Sequence, residues 1–215
     1  MCKKKLIFLL GIIFLFSFSA WGRKKPAGIA AKVNSWDKSF RSSWVYKPAI
    51  TGRKEKIQLL VKGKKFKLNN DLICDGKNIY EVDVRNREVK IINLKGWRSL
   101  PFWHIPLKMS PFGETQKTRE ATIAGRSAEI YEIRGKYEGA EVFLIYWIDK
   151  EKKVLLKKEH IIGPRNDPLG YEFYECKSIE FNPSISEKDF TCTIPSGYLK
   201  IKVGFISSNL LDNKF

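Results

Sequence analysis

Seven consecutive apolar residues, Val142 to Ile148, constrain this chain more than any other segment. They form the first of two long strands read around the polar turn Asp149 to Lys153. Side chains alternate across a strand, so a strand that is apolar at every position needs cover on both faces. In a small β-protein that second cover is supplied by helices, a second sheet or a ligand.

The surrounding sequence supplies the sheet. Ile57, Leu59 and Val61 alternate with polar residues, and Phe66 and Leu68 continue the pattern. Asp75-Gly76 signals a tight turn, after which Tyr80, Val82 and Val84 alternate with Glu81 and Asp83. Asn86-Arg87 then turns the chain into another strand ending near Leu94. An antiparallel meander is the simplest result. Strands resume at Ser127 to Gly135, and the last are expected at Tyr171 to Phe181 and Asp189 to Pro195. Ahead of the sheet, Ile29, Val33, Trp36 and Phe40 recur every three or four residues, which predicts a helix over Ala27 to Phe40. Gly96 to Phe112 breaks the rhythm with three Pro, two Trp and two Phe. It is too proline-rich for a central strand and too apolar for a free loop, so it should pack on something apolar.

The chain carries a net charge of +17 in 215 residues. Three of those charges lie in residues 1–22, a basic head followed by an apolar run and small residues, which is the layout of a secretory signal peptide. Cleavage is expected after Ser19 or after Gly22. The alternative is an N-terminal anchor: Leu6 to Gly22 is 17 residues, about 25 Å as a helix, against a hydrocarbon core of about 30 Å. Arg23, Lys24 and Lys25 follow directly and favour the anchor. Either way the expected location is the periplasm or cell envelope, with residues 23–215 forming one β-domain. Cys2 precedes the apolar run, where a lipoprotein cysteine cannot lie. Of the remaining Cys74, Cys176 and Cys192, the last two are close enough in sequence for a disulfide between adjacent strands; three buried free thiols are the alternative.

No catalytic constellation emerges. His104 and His160 lie in different segments, and no grouped Cys or His pattern of a metal site is present. There is no nucleophile elbow and no phosphate-binding glycine loop, so neither catalysis nor a cofactor is expected. Asp71, Asp75 and Asp83 read as turn and strand-edge residues rather than paired catalytic acids. The basic clusters Arg53 to Lys56, Lys62 to Lys67, Lys150 to Lys153 and Lys157-Lys158 fall mostly at turns or alternate along strands. That is the pattern of a solvated, edge-protecting face. A nucleic-acid partner would require a cytosolic protein or an exported nuclease, and the leader argues against the first, whereas an anionic membrane surface suits both charge and compartment.

The more telling set is apolar: Trp97, Phe102, Trp103, Met109, Phe112, Phe143, Tyr146 and Trp147. Each serves equally as plain core or as lining of a cavity or its lid, since acyl chains bind by area burial and need no catalytic group.

The order of elements adds to this. Asp75-Gly76-Lys77 with Tyr80, the strand and turn around Trp147-Ile148-Asp149, and Phe181-Asn182-Pro183 leading to Phe190 and Pro195-Ser196-Gly197-Tyr198 together resemble the LolA-like outer-membrane lipoprotein carrier and lipoprotein-sorting family. Relatives of that family include the amino-terminal domain of the sigma-factor regulator MucB/RseB. The resemblance covers most of residues 27–200. It implies a mainly β (α+β) fold, an unclosed antiparallel β-barrel with a helical lid, and an apolar cavity for acyl chains. The implied partner is a lipid or acylated lipoprotein; the regulator relatives imply an envelope sensor that binds a protein instead.

Overall fold

The computed structural model describes residues 38–49, 52–96, 102–103 and 115–203. They form one sheet of twelve strands. The first half is a meander of β1 (Ser39–Lys47), β2 (Glu55–Lys62), β3 (Lys65–Leu68), β4 (Leu72–Cys74), β5 (Asn78–Asp83) and β6 (Glu88–Asn93). The second half is β7 (Thr115–Ile123), β8 (Arg126–Tyr137), β9 (Ala140–Asp149), β10 (Leu155–Ile162) and β11 (Gly170–Phe181). The two meanders join where β1 pairs with β11. A final strand, β12 (Leu199–Val203), lies parallel to β6 while every other pair is antiparallel. The edges are β7 and β12, so the sheet is unclosed, as expected.

Cross-strand register explains the core. Phe40, Val61, Phe66, Cys74 and Ile79 form one continuous row across five strands, and all five are buried. Two rows along on the same face, Trp44 lies beside Ile57 and Cys176. We call the face carrying these residues the inner face. Ile73 and Val89 lie in alternate positions and are also buried, but outside the main core, as are Ile185 and Phe190. A crossover from β11 to β12 supplies that second layer. It contains a 3-10 turn at Glu187–Phe190 fixed by a capping box between Ser186 and Asp189, and it is tied to the sheet by Lys62, whose Nζ donates to the Ile185 carbonyl at 3.2 Å.

Local turn chemistry follows the sequence. Gly76 adopts a φ of +93°, and the Asp75 carboxylate accepts the backbone N–H groups of Lys77 and Asn78 at 2.7 Å each. Asp83 caps the next turn in the same way.

Several expectations need correction. Ser39 and Phe40, the end of the expected helix, belong to β1, because Phe40 pairs with Val61 on one side and Phe181 on the other. Lys38 precedes β1 without regular structure, and the rest of that helix, the leader and residues 23–37 lie outside the described residues. Among the described residues, helix is limited to 3-10 turns at Leu94–Gly96 and Glu187–Phe190, and no helix is long and apolar enough to cross a membrane. Asp189 to Pro195 is not a strand: the capping box draws its start into a turn, and the last strand comes at β12. Cys176 and Cys192 are free thiols, like Cys74. Cys176 is on the inner face beside Trp44, whereas Cys192 lies in the crossover, within electrostatic reach of Lys67 and Tyr80 on the other side of the sheet.

Candidate functional site

An aromatic lattice occupies the inner face. Tyr46 and Tyr174, paired between β1 and β11, stack at 4.3 Å between ring centroids. Phe102 stacks on the opposite side of Tyr174 at 4.5 Å and meets Trp44 edge-on at 5.1 Å. Trp103 meets both Phe102 and Phe66 edge-on at 5.2 Å. Such contacts add about 0.5–1.5 kcal/mol each beyond the area they bury. The Pro-rich insert therefore does pack on an apolar surface, through two residues that belong to no strand. Trp103 is buried, while Phe102 is only half-buried.

Beyond the lattice runs a row of tyrosines. Tyr46, Tyr174, Lys158, Tyr146 and Tyr131 are successive cross-strand neighbours over β1, β11, β10, β9 and β8. The lysine is the one interruption. Burial pulls the Lys158 ammonium below its ordinary value, with Glu172 opposing. His160, in the next inner position of β10, is pushed down to about 4 by burial and by Lys158, so it is neutral at physiological pH. Burial raises Glu172 in turn, against the pull of Lys158. Tyr146 is pushed up to about 12 by burial alone. Among the described residues no group of three or more acidic, His or Cys side chains could hold a metal.

The other face of β9 is covered differently. Phe143, Ile145 and Trp147 point outward there, and among the described residues the cover is neither helix nor second sheet. Arg165, in the loop between β10 and β11, places its guanidinium 4.5 Å from the Phe143 ring centroid, and Arg134 lies over the same ring at 5.9 Å. Lys157 lies 4.6 Å from the Trp147 ring. Long cationic side chains thus lay their stems and charges on aromatic faces. Their carboxylate partners are close by. Glu132, buried, pairs with both Arg134 and Arg165, and Lys157 pairs with Glu159 at 2.8 Å. A depression of ≈ 330 Å³ remains, with Ile145, Trp147, Ile161 and Tyr171 at its base and Arg119 and Arg165 in its wall. Arg119 is exposed and has no hydrogen bond or ion pair among the described residues.

Of the residues singled out from sequence, the structure brings Phe102, Trp103 and Tyr146 to the inner face. Phe143 and Trp147 stand on the outer face. Trp97, Met109 and Phe112 lie outside the described residues. Trp44, Tyr46, Phe66, Tyr131, Tyr174 and Lys158 were missed as site residues. The signal was available for Trp44 and Tyr46, which alternate in β1, but Lys158 reads as one more charge in a basic strand.

With the sheet and lattice established, the architecture can be compared with solved structures. The fold is similar to that of MucB. MucB in complex with MucA(peri) superposes with a TM-score of 0.51 at 16% identity, over 77% of this chain and 58% of that one. A second MucB structure gives a TM-score of 0.44 at 10% identity, over 80% and 62% of the two chains. A LolA superfamily protein from Nitrosomonas europaea gives 0.33 at 11% identity, over 76% and 94%. The chain spans about three fifths of the length of these MucB structures. Structural neighbours thus include MucB and LolA-superfamily proteins, the kinds of protein that the residue pattern resembles. By sequence, no family model and no curated protein matches the chain.

Proposed function

We propose that the protein is a non-enzymatic binding protein of the cell envelope that accepts an acyl chain, of a lipid or an acylated lipoprotein, against its inner face. The observation that carries this reading is the cover over the lattice. Phe102 and Trp103 come from outside the sheet, and Phe102 remains half-exposed although it stacks on Tyr174. An acyl chain can replace such a cover, exchanging one apolar contact for another and gaining about 0.8 kcal/mol for each CH₂ it buries. The basic surface suits approach to anionic lipid. The test is titration of the folded full chain with a fluorescent C12 acyl probe, following Trp103 emission against a Trp103→Phe control. Saturable uptake competed by unlabelled fatty acid is the expected result. Failure of the folded chain to take up the probe would end this reading.

A second reading is a protein-binding module of the same fold, as the MucB complex with MucA(peri) suggests. It is favoured by one feature, the outer depression beside the edge strand β7, lined in part by Arg119, which has no ion pair among the described residues. Native mass spectrometry of the protein from its own envelope separates the two. Co-purified lipid supports the first. A lipid-free protein complex lost on Arg119→Glu supports the second.

A further inference from the structure

We infer that Lys158 and Tyr146 form an anion-binding subsite on the inner face, so that the ligand is a single-chain amphiphile with a carboxylate or phosphate head rather than an uncharged acyl group. The inference rests on the acyl-chain reading above and specifies its ligand.

Lys158 and Tyr146 are direct cross-strand partners of β10 and β9. Neither Lys158 Nζ nor the Tyr146 hydroxyl has a hydrogen bond or an ion pair among the described residues. Yet among those residues no fully buried side-chain nitrogen or oxygen lacks a partner, so each of these two donors keeps some exposed surface and is open to a partner from outside the sheet. Lys158 therefore differs from its neighbour Lys157, which is held by Glu159 and Glu175 on the outer face. The nearest acid on the inner face is Glu172, one step along β11 from the Lys158 partner Tyr174. It acts on Lys158 through space but does not come within 4 Å of Nζ, the limit of an ion pair.

The surroundings define the rest of the ligand. Lys158 Nζ lies 5.7 Å from the Tyr174 ring, and Phe102 stacks on that ring. An anion held by the ammonium and the tyrosine hydroxyl thus starts at the end of the aromatic lattice, and an apolar tail attached to it has the lattice to lie on. Both groups donate, so the complementary group is an oxyanion with at least two acceptor lone pairs. His160, neutral beside them, adds no competing charge. A fully acylated polypeptide N-terminus brings chains without an anion and leaves both donors unmatched.

The experiment compares dodecanoate, dodecyl phosphate and dodecanol on the full chain by calorimetry, with Lys158→Met, Lys158→Arg and Tyr146→Phe, each variant first checked for native near-UV circular dichroism. Both anions should bind at least about tenfold more tightly than dodecanol, the size of one charged hydrogen bond. Lys158→Met should abolish that preference while leaving dodecanol binding unchanged. Lys158→Arg should keep it, and Tyr146→Phe should reduce it. The better of the two anions assigns the head as carboxylate or phosphate. Equal binding of all three by the wild-type chain, or an unchanged preference in Lys158→Met, overturns the subsite and leaves the acyl-chain reading standing. Failure of all three to bind overturns both.

Discussion

The turn between β9 and β10 sets the register that places Tyr146 beside Lys158, and one carboxylate holds it. Asp149, 1% exposed, accepts the backbone N–H groups of Glu151 at 2.9 Å and Lys152 at 2.5 Å. It also pairs with Arg126, whose Nε and Nη2 both reach it. With the two-pronged Arg126 contact taken as one, three charge-assisted contacts at about 1.5 kcal/mol each give roughly 4.5 kcal/mol. Removing Asp149 leaves the two turn N–H groups without their acceptor, while Arg126 keeps Glu151 at 3.1 Å. Asp149→Ala should therefore destabilise by about 4 kcal/mol, which at 2–4 °C per kcal/mol for a chain of this size lowers Tm by roughly 8–16 °C. Burial alone would raise the Asp149 carboxyl, but Arg126 and the turn N–H groups outweigh it and hold it below the usual Asp value. Its contribution is consequently present at neutral pH and fades as pH falls through that lowered value. Urea denaturation followed by Trp fluorescence measures all of this. In a double-mutant cycle of Arg126→Met and Asp149→Ala, the double variant should lose less than the sum of the two single variants. A loss under about 1 kcal/mol for Asp149→Ala, or strict additivity of the two sites, would refute the argument.

Other outcomes follow from the same geometry. Glu129, held at about 2 by Lys117 and the Tyr131 hydroxyl, gives stability that is complete above about pH 4.5 and lost toward pH 2; Glu129→Gln should flatten that part of an acid-unfolding curve. Gly163 has a φ of +89°, and a Cβ there would sit 3.0 Å from Leu169 Cγ and 3.1 Å from its backbone nitrogen. Gly163→Ala should cost about 1–3 kcal/mol in urea denaturation and make the loop carrying Arg165 more sensitive to protease. In the native state Cys192, half-buried, should react with iodoacetamide well before Cys74 and Cys176, since burial pushes the Cys176 thiol up to about 12; simultaneous labelling of all three would contradict the packing. Trp44→Ala should remove about 3–5 kcal/mol and the central contact of the lattice together, read by calorimetric melting.

The strands with one dry face were legible in the sequence because period two is enforced by burial. Ile57, Leu59 and Val61 read correctly, as did the polar turn at Asp149 to Lys153. What escaped was governed by partners distant in the chain. β7 carries Lys117, Arg119 and Glu120 because it is an edge, and edge protection removes the alternation by which strands are recognised. The parallel β12 depends on β6, more than a hundred residues earlier. The two-sided β9 was read correctly as needing cover, but its outer cover comes from Arg134, Arg165 and Lys157, residues that a charge count assigns to solvent. Phe143 and Trp147 were grouped with Tyr146 by composition, and the alternation of one strand separates them.

The seam between β1 and β11 has a consequence for synthesis. Ser43 and Ser178, 135 residues apart, share a hydrogen bond across it at 2.6 Å, and β1 must wait for β11 before it gains its second neighbour. Closing so long a loop precedes any reward from the contacts it allows, which makes folding slow compared with that of a chain of local contacts. The amino-terminal meander cannot complete its wall of aromatic residues until nearly the last strand has left the ribosome. A sheet ordered in this way stays open along one side of β1 for most of its synthesis and gains its second neighbour there only when β11 arrives.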